Sequence, residues 1–245
     1  MKYFIFSDIH GNLEALQAVM VEFDRESENS ECTPICLGDI VGYGPNPREC
    51  IAEIRRRNIR AIAGNHDYAA TGRMDISYFN PYAKDAVLWT KNILTPDDMD
   101  FLMKLELQLV FDEMTFVHAT PCDSENWNYL FTLYDAQHNF ECFESQACFV
   151  GHSHYPAFII QKETHDCWVH PHPVLSFRDG WKYIINVGSV GQPRDGNPQS
   201  SFAVYDRDTQ TIELRRVKYD ISFTQQKMRD ARLPEYLIER LEMGR

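Results

Sequence analysis

The sequence lacks any apolar run long enough to cross a bilayer. Its opening stretch, Tyr3-Phe4-Ile5-Phe6, gives way at once to Ser7-Asp8. Neither a secretory leader nor a membrane helix is expected, and the chain is expected to remain in the cytoplasm. It also lacks basic charge. Against 36 acidic residues stand 24 Lys and Arg, a formal net charge of −12. That is the wrong sign for holding a polyanion through its backbone, so bulk nucleic-acid binding is not expected. A small phosphorylated substrate stays open, because bound divalent cations would reverse the sign locally. There is no C-x-x-C pair. The seven cysteines, Cys32, Cys36, Cys50, Cys122, Cys142, Cys148 and Cys167, are odd in number and show no framework spacing, which predicts reduced thiols. Internal repeats, low-complexity tracts and Gly- or Ser-rich linkers are absent too. With 245 residues, 44% of them hydrophobic, the chain can bury a sizeable core, and a single domain over 1–245 is expected. Nothing in the sequence bears on oligomeric state.

What is present is a rhythm of short apolar runs that end in polar clusters. Tyr3 to Phe6 reads as a buried strand, followed by a helix capped by Asn12 with Leu13, Leu16, Val19, Met20 and Phe23 at helical spacing. Pro34 to Leu37 is a second strand. Asn46-Pro47-Arg48-Glu49 reads as a cap, an N1 proline and a capping-box glutamate. Ile59 to Ala63 is a third strand, and helices opened by Asn80-Pro81 and Thr95-Pro96-Asp97-Asp98 follow. From Leu107 on, strands dominate: a hairpin over 107–118, then 147–150, 156–161, 183–187, 201–205 and 211–217, with helix from about Ile221 broken at Pro234. The least patterned stretch, 162–182, is expected to be an insertion loop or small flap. The fold class is therefore α/β with a mixed sheet system.

Five polar clusters stand out: Asp8-Ile9-His10, Gly38-Asp39, Gly64-Asn65-His66-Asp67, His118 and Gly151-His152-Ser153-His154. Each falls at the expected C-terminal end of a strand, where open α/β sheets collect ligands. Carboxylate, amide oxygen and imidazole suit Mn, Fe, Zn, Ni or Co, and the absence of cysteine from the set argues against a structural zinc. In D-x-H and H-x-H the two side chains of an extended segment share a face and can converge on one ion. Each cluster alone is weak; the ordered set is specific. His138, His165, His170 and His172 match no cluster and read as loop residues. Trp127 and Tyr129, in the loop after His118, read as packing or as walls for a base or aryl group.

In this order the five clusters resemble the calcineurin-like metallophosphoesterase superfamily. Asn186-Val187-Gly188-Ser189-Val190-Gly191-Gln192-Pro193 extends the likeness. The wording of Gly38 to Pro45 and Gly188 to Asp195 resembles a bacterial subgroup related to diadenosine tetraphosphatases. The resemblance implies two mixed β-sheets packed face to face and flanked by helices, and two divalent ions, Mn first among them. Asp8, His10 and His154 would hold one ion and Asn65, His118 and His152 the other, with Asp39 bridging. His66 would stabilise the transition state or protonate the leaving oxygen, with Asp67 orienting its imidazole. Two ions ~3.5–4 Å apart clamp the attacking and non-bridging oxygens of an in-line displacement by hydroxide.

The implied reaction is hydrolysis of a small phosphodiester, nucleotide or dinucleoside polyphosphate. Phosphoprotein phosphatases of the superfamily carry G-D-x-V-D-R-G, whose arginine grips phosphate. Here Tyr43 stands at that position, and their G-N-H-E is Gly64-Asn65-His66-Asp67, which disfavours that alternative. Arg194, with Asn65, is the expected substrate contact in its stead. A protein-interaction scaffold on the same fold would have shed ligands that this chain keeps. A nuclease would share the metal site but would not favour so acidic a chain.

Overall fold

The computed structural model describes the backbone of residues 1–245 and every side chain except that of Asn29. Two six-stranded mixed sheets face each other. The first takes β1 (Lys2–Phe6), β2 (Cys32–Cys36), β3 (Arg60–Ala61), β9 (Val174–Ser176), β11 (Ser200–Asp206) and β12 (Thr211–Val217), in the order β3-β2-β1-β11-β12-β9. The second takes β4 (Gln108–Phe111), β5 (Met114–Val117), β6 (Ala147–Val150), β7 (Ala157–Gln161), β8 (Cys167–His170) and β10 (Lys182–Asn186), in the order β4-β5-β6-β10-β7-β8. The helices are α1 (Leu13–Asn29), α2 (Pro47–Arg56), α3 (Asn65–Thr71), α4 (Pro81–Ile93), α5 (Pro96–Met103), α6 (Leu133–Asn139), α7 (Ile221–Asp230) and α8 (Glu235–Met243). Among the described residues no helix is long and apolar enough to cross a membrane.

Strand periodicity explains the layers. In β1, Tyr3 and Ile5 point into the space between the sheets, where they join Ile35, Phe116, Phe149, Phe158, Tyr183 and Tyr205. Phe4 and Phe6 point the other way, onto Leu16, Val19, Ile51 and Ile54 of α1 and α2. Each fully buried aromatic of this kind contributes ~1.5–3 kcal/mol through burial, and Phe4 also stacks on Phe202 at 4.7 Å. Asn12 caps α1 by accepting from Ala15 N at 3.2 Å, and Asn80 and Thr95 cap α4 and α5 similarly.

Several expectations are corrected. Asn46 makes no cap hydrogen bond; its Oδ1 accepts from Lys227 Nζ at 2.9 Å, a tertiary partner stronger than a backbone amide. The stretch 162–182 is not a loop. It carries β8, which pairs with β7, and β9, which pairs with β12, so one strand goes to each sheet. Both are short and lie at sheet edges, which is why their pattern is faint in the sequence. The cysteines are not all thiols either. Cys122 and Cys142 form a disulfide with Cα atoms 5.3 Å apart. The chain after β5 runs back over the turn Phe140–Cys142, a proximity that a 20-residue spacing does not reveal.

Candidate metal centre

The parallel strands β1, β2, β3, β5 and β6 all end at one edge of the sandwich, and the polar clusters follow those ends. Asp8, His10, Asp39, Asn65, His66, His118, His152 and His154 are all buried there. They fall into overlapping sets. Asp8, His10 and His154 bring ligand atoms within 4.8 Å of one another, as do Asp39, His118 and His152; a further set joins His10 and Asp39 to His66. Asp39 thus belongs to both sides: its Oδ2 is 3.6 Å from His10 Nε2 and 3.4 Å from His118 Nε2. Around the first set, His154 Nε2 lies 3.2 Å from Asp8 Oδ1 and 3.0 Å from His10 Nε2. Around the second, His118 Nε2 lies 3.2 Å from both Asn65 Oδ1 and His152 Nδ1.

Backbone groups fix which atoms face inward. His118 Nδ1 lies 2.8 Å from the Leu37 carbonyl and His154 Nδ1 2.5 Å from the Gln192 carbonyl. Each Nδ1 donates there and leaves Nε2 free to ligate, the outer-shell device of metal-bound imidazoles. Asn186 Nδ2 holds the His152–His154 segment by donating to Gly151 O at 2.7 Å and Ser153 Oγ at 2.9 Å. Asp8, His10, Asp39, His152 and His154 all have φ between 51° and 62°. Left-handed non-glycine residues cost ~1–3 kcal/mol each and persist where the surroundings over-determine them, typically at functional sites. Gly42, at φ +135°, passes behind two of the rings; a methyl there would stand 2.7 Å from His66 Nδ1 and 2.9 Å from His10 Nδ1. A side chain at Gly64 would run into the Asp39 carboxylate.

The electrostatics ask for cations. Burial opposes ionisation of Asp8, yet His154, His10 and His118 hold it well below the usual carboxylate range. Asp39 behaves alike: burial raises it, and His118 and His66 bring it down. Burial lowers His118, but Asp39 and Asp8 outweigh it and push the imidazole up to about 9. Burial brings His152 down to about 4 and, with Arg194, His154 down to about 3. Asp8 Oδ1 is buried with no hydrogen-bond partner among the described residues. Two carboxylates, an amide oxygen and four imidazoles converging around such an atom fit a pair of divalent ions.

His66 and Arg194 stand beside this centre. Burial lowers His66 well below its ordinary value, with Asp39 opposing and His10 and Arg194 adding to the effect. Its Nδ1 is buried without a partner among the described residues. Tyr43 packs on both His10 and His66, at 4.5 and 4.4 Å between ring centroids. Arg194 Nη2 donates to Gln192 Oε1 at 2.8 Å and to the Tyr43 hydroxyl at 3.4 Å. Two expectations are not met: His152 and His154 sit on left-handed rather than extended backbone and fall into different ligand sets, and Asp67 does not orient His66. Consecutive helical residues diverge, and its carboxylate accepts from Gly64 N at 2.9 Å and Val41 N at 3.2 Å, with no bond to His66. Burial and the neighbouring Asp39 raise it to about 7. It caps α3 rather than orienting the imidazole.

The centre opens into a cleft of about 290 Å³ walled by Tyr78, Phe79, Trp127 and Tyr129. Tyr129 stacks on His152 at 4.2 Å. Of these walls, Tyr78 and Phe79 had no signal in the sequence, and Gln192 was visible only as part of the Asn186–Pro193 run.

The comparisons with known proteins agree with this geometry. A family model, the calcineurin-like phosphoesterase superfamily domain, matches residues 1–210. The chain is 42% identical over 247 residues to an uncharacterised protein of Methanocaldococcus jannaschii, covering 98% of this chain and 97% of that one. It superposes on the crystal structure of a metallophosphoesterase from Sphaerobacter thermophilus with a TM-score of 0.85 and 39% identity, over 100% and 99% of the two chains. A hypothetical protein from Pyrococcus horikoshii shares the fold, with a TM-score of 0.83 at 20% identity over 100% and 98%. Sheet architecture, ordered ligand clusters and these likenesses converge: the chain belongs to the calcineurin-like phosphoesterase superfamily.

Proposed function

We propose that the protein is a dinuclear-metal phosphoesterase that cleaves a small phosphodiester, nucleotide or dinucleoside polyphosphate. The observation that carries this reading is the shared position of Asp39, with Oδ2 3.6 and 3.4 Å from the nearest imidazole nitrogens of the two ligand sets. Asp8, His10 and His154 would hold one ion and Asn65, His118 and His152 the other. When bound, such a pair makes water a nucleophile near neutral pH and offsets the charge that grows on phosphoryl oxygens. Mn is the first metal to test.

The chain's own residues supply the rest. His66 is neutral in its buried setting; the negative charge of the incoming phosphate favours its protonated form, so it would take a proton from solvent as substrate binds and give that proton to the leaving oxygen. Arg194 adds positive potential that is felt at His66 and His154 and contacts the phosphate from the side of Tyr43. The aromatic walls exclude water and accept a planar leaving group. A protein-phosphatase reading is weaker, because Tyr43 occupies the place of the phosphate-gripping arginine.

The test is hydrolysis of bis-p-nitrophenyl phosphate, p-nitrophenyl phosphate and a panel of nucleotides and dinucleoside polyphosphates by metal-stripped protein with Mn²⁺ added back. Metal-dependent turnover is expected, and its preferred substrate chooses among diester, monoester and anhydride chemistry. Folded protein silent with every metal and substrate would leave the scaffold reading in its place. Asp39→Asn should weaken both ions together; loss of one alone would remove the bridge.

A further inference from the structure

Beside the catalytic cleft lies a larger cavity of about 710 Å³ that the chemistry above leaves idle. Tyr129 lines both spaces. The loop that carries it, between β5 and α6, is a partition with Trp127 on the cleft side and Asn128 on the cavity side. The Cys122–Cys142 disulfide pins the start of this partition to the turn that bears Glu141, another cavity residue.

The lining defines a guest. Asp123, Asp135 and Glu141 face the cavity beside His138 and His165, and among the described residues no Lys or Arg does, so a phosphate or carboxylate is disfavoured. Gln161 of β7 is only 7% exposed and lines the wall. Its amide has no hydrogen-bond partner among the described residues. Its amide therefore faces the cavity with donor and acceptor both open to whatever enters. Asn128 and Gln137 add further amides. Amides offer donors and acceptors together, carboxylates acceptors only. A cation would use the acceptors and leave the amide N–H groups unmatched, whereas hydroxyls use both. The volume lies within the ~300–1,000 Å³ typical of small-molecule sites.

We propose that this cavity is a subsite for a neutral, hydroxyl-rich group, a nucleoside or a glycosyl moiety, attached to the phosphate that reacts in the adjoining cleft. The link to phosphate rests on the phosphoesterase reading; the binding of the neutral group does not. Calorimetric or NMR titration of the intact protein with adenosine, methyl α-glucoside and putrescine separates the sources. Saturable binding of adenosine or of the glucoside is expected, weakened about tenfold by Gln161→Leu, the loss of one or two hydrogen bonds. Gln137→Ala, at an exposed position that tolerates change, should weaken it too. Binding of neither probe, binding that both variants leave intact, or binding of putrescine alone overturns the proposal. In kinetics, Gln161→Leu should raise KM for a nucleoside 5′-phosphate p-nitrophenyl ester about tenfold relative to p-nitrophenyl phenyl phosphate. Should neither ester be hydrolysed, diester chemistry is excluded and the titration alone decides the subsite.

Discussion

At the scale of single residues, His118 makes the sharpest prediction. Its Nε2 must be bare to ligate an ion, yet before any ion binds Asp39 and Asp8 would hold its proton up to about 9. Metal binding at pH 7 should therefore release a proton, and apparent affinity should climb by up to about tenfold per pH unit until pH passes about 9. Titrations in buffers of different ionisation enthalpy read this directly; identical observed enthalpies would rule it out. The same shift acts on the apo fold. A folded pKa above the ordinary 6.5 means the histidine's stabilising contribution is complete below about 6.5 and fades as pH rises through about 9. For His66, replacement by Asn should keep the metals and cut turnover of poor leaving groups about 10²–10⁴-fold, with little loss for p-nitrophenol esters. A variant near wild-type rates on an alkyl ester would end the acid assignment. That these residues gather at one place was legible because side-chain chemistry and order along the chain single them out. Asp67 was misread because adjacency in sequence is not adjacency on a helix.

At the scale of elements, strand ends deliver the candidate ligands and neighbouring backbone aims them. The histidine segment after β6 is held by Asn186 from the end of β10. Asn186→Ala should lower metal affinity about 10–100-fold, as loss of outer-shell partners does, while the sheets stay folded by circular dichroism. Unchanged affinity would mean the backbone alone fixes His152 and His154. Strands β1, β2 and β6 were readable from their continuous apolar runs. The third strand shrank to Arg60–Ala61, with Ile62 reaching only an isolated bridge to Glu106. Strands β8 and β9 were invisible, because three- and four-residue edge strands carry too little alternation to declare themselves.

At the scale of the whole molecule, the candidate centre draws on both sheets: Asp8, Asp39 and Asn65 follow strands of one, His118 and His152 strands of the other. Ions bound there would tie the sheets at that edge, so chelation should lower Tm and excess Mn²⁺ should raise it by mass action. A Tm indifferent to both would argue that the ligands do not share ions across the interface. That the chain forms two facing sheets was foreseeable only through resemblance. Periodicity alone gave strands without saying which sheet each would join.

The 162–182 segment has a consequence for solubility. Through β8 it covers Phe158–Gln161 of β7, and through β9 it covers Thr211–Glu213 of β12. These short flanking strands occupy backbone groups that would otherwise invite a strand from another molecule. Gln161 and Lys182 already face each other across β7 and β10, so a tight two-residue turn can bridge them, with the loss of the buried Leu175 and Phe177. Such a shortened chain should keep its ligand residues yet self-associate in a concentration-dependent way, visible by light scattering against the full-length chain. If it scatters like its parent, the two strands are ornament; if it grows, they are the selvedge that keeps the fabric from knitting to its neighbour.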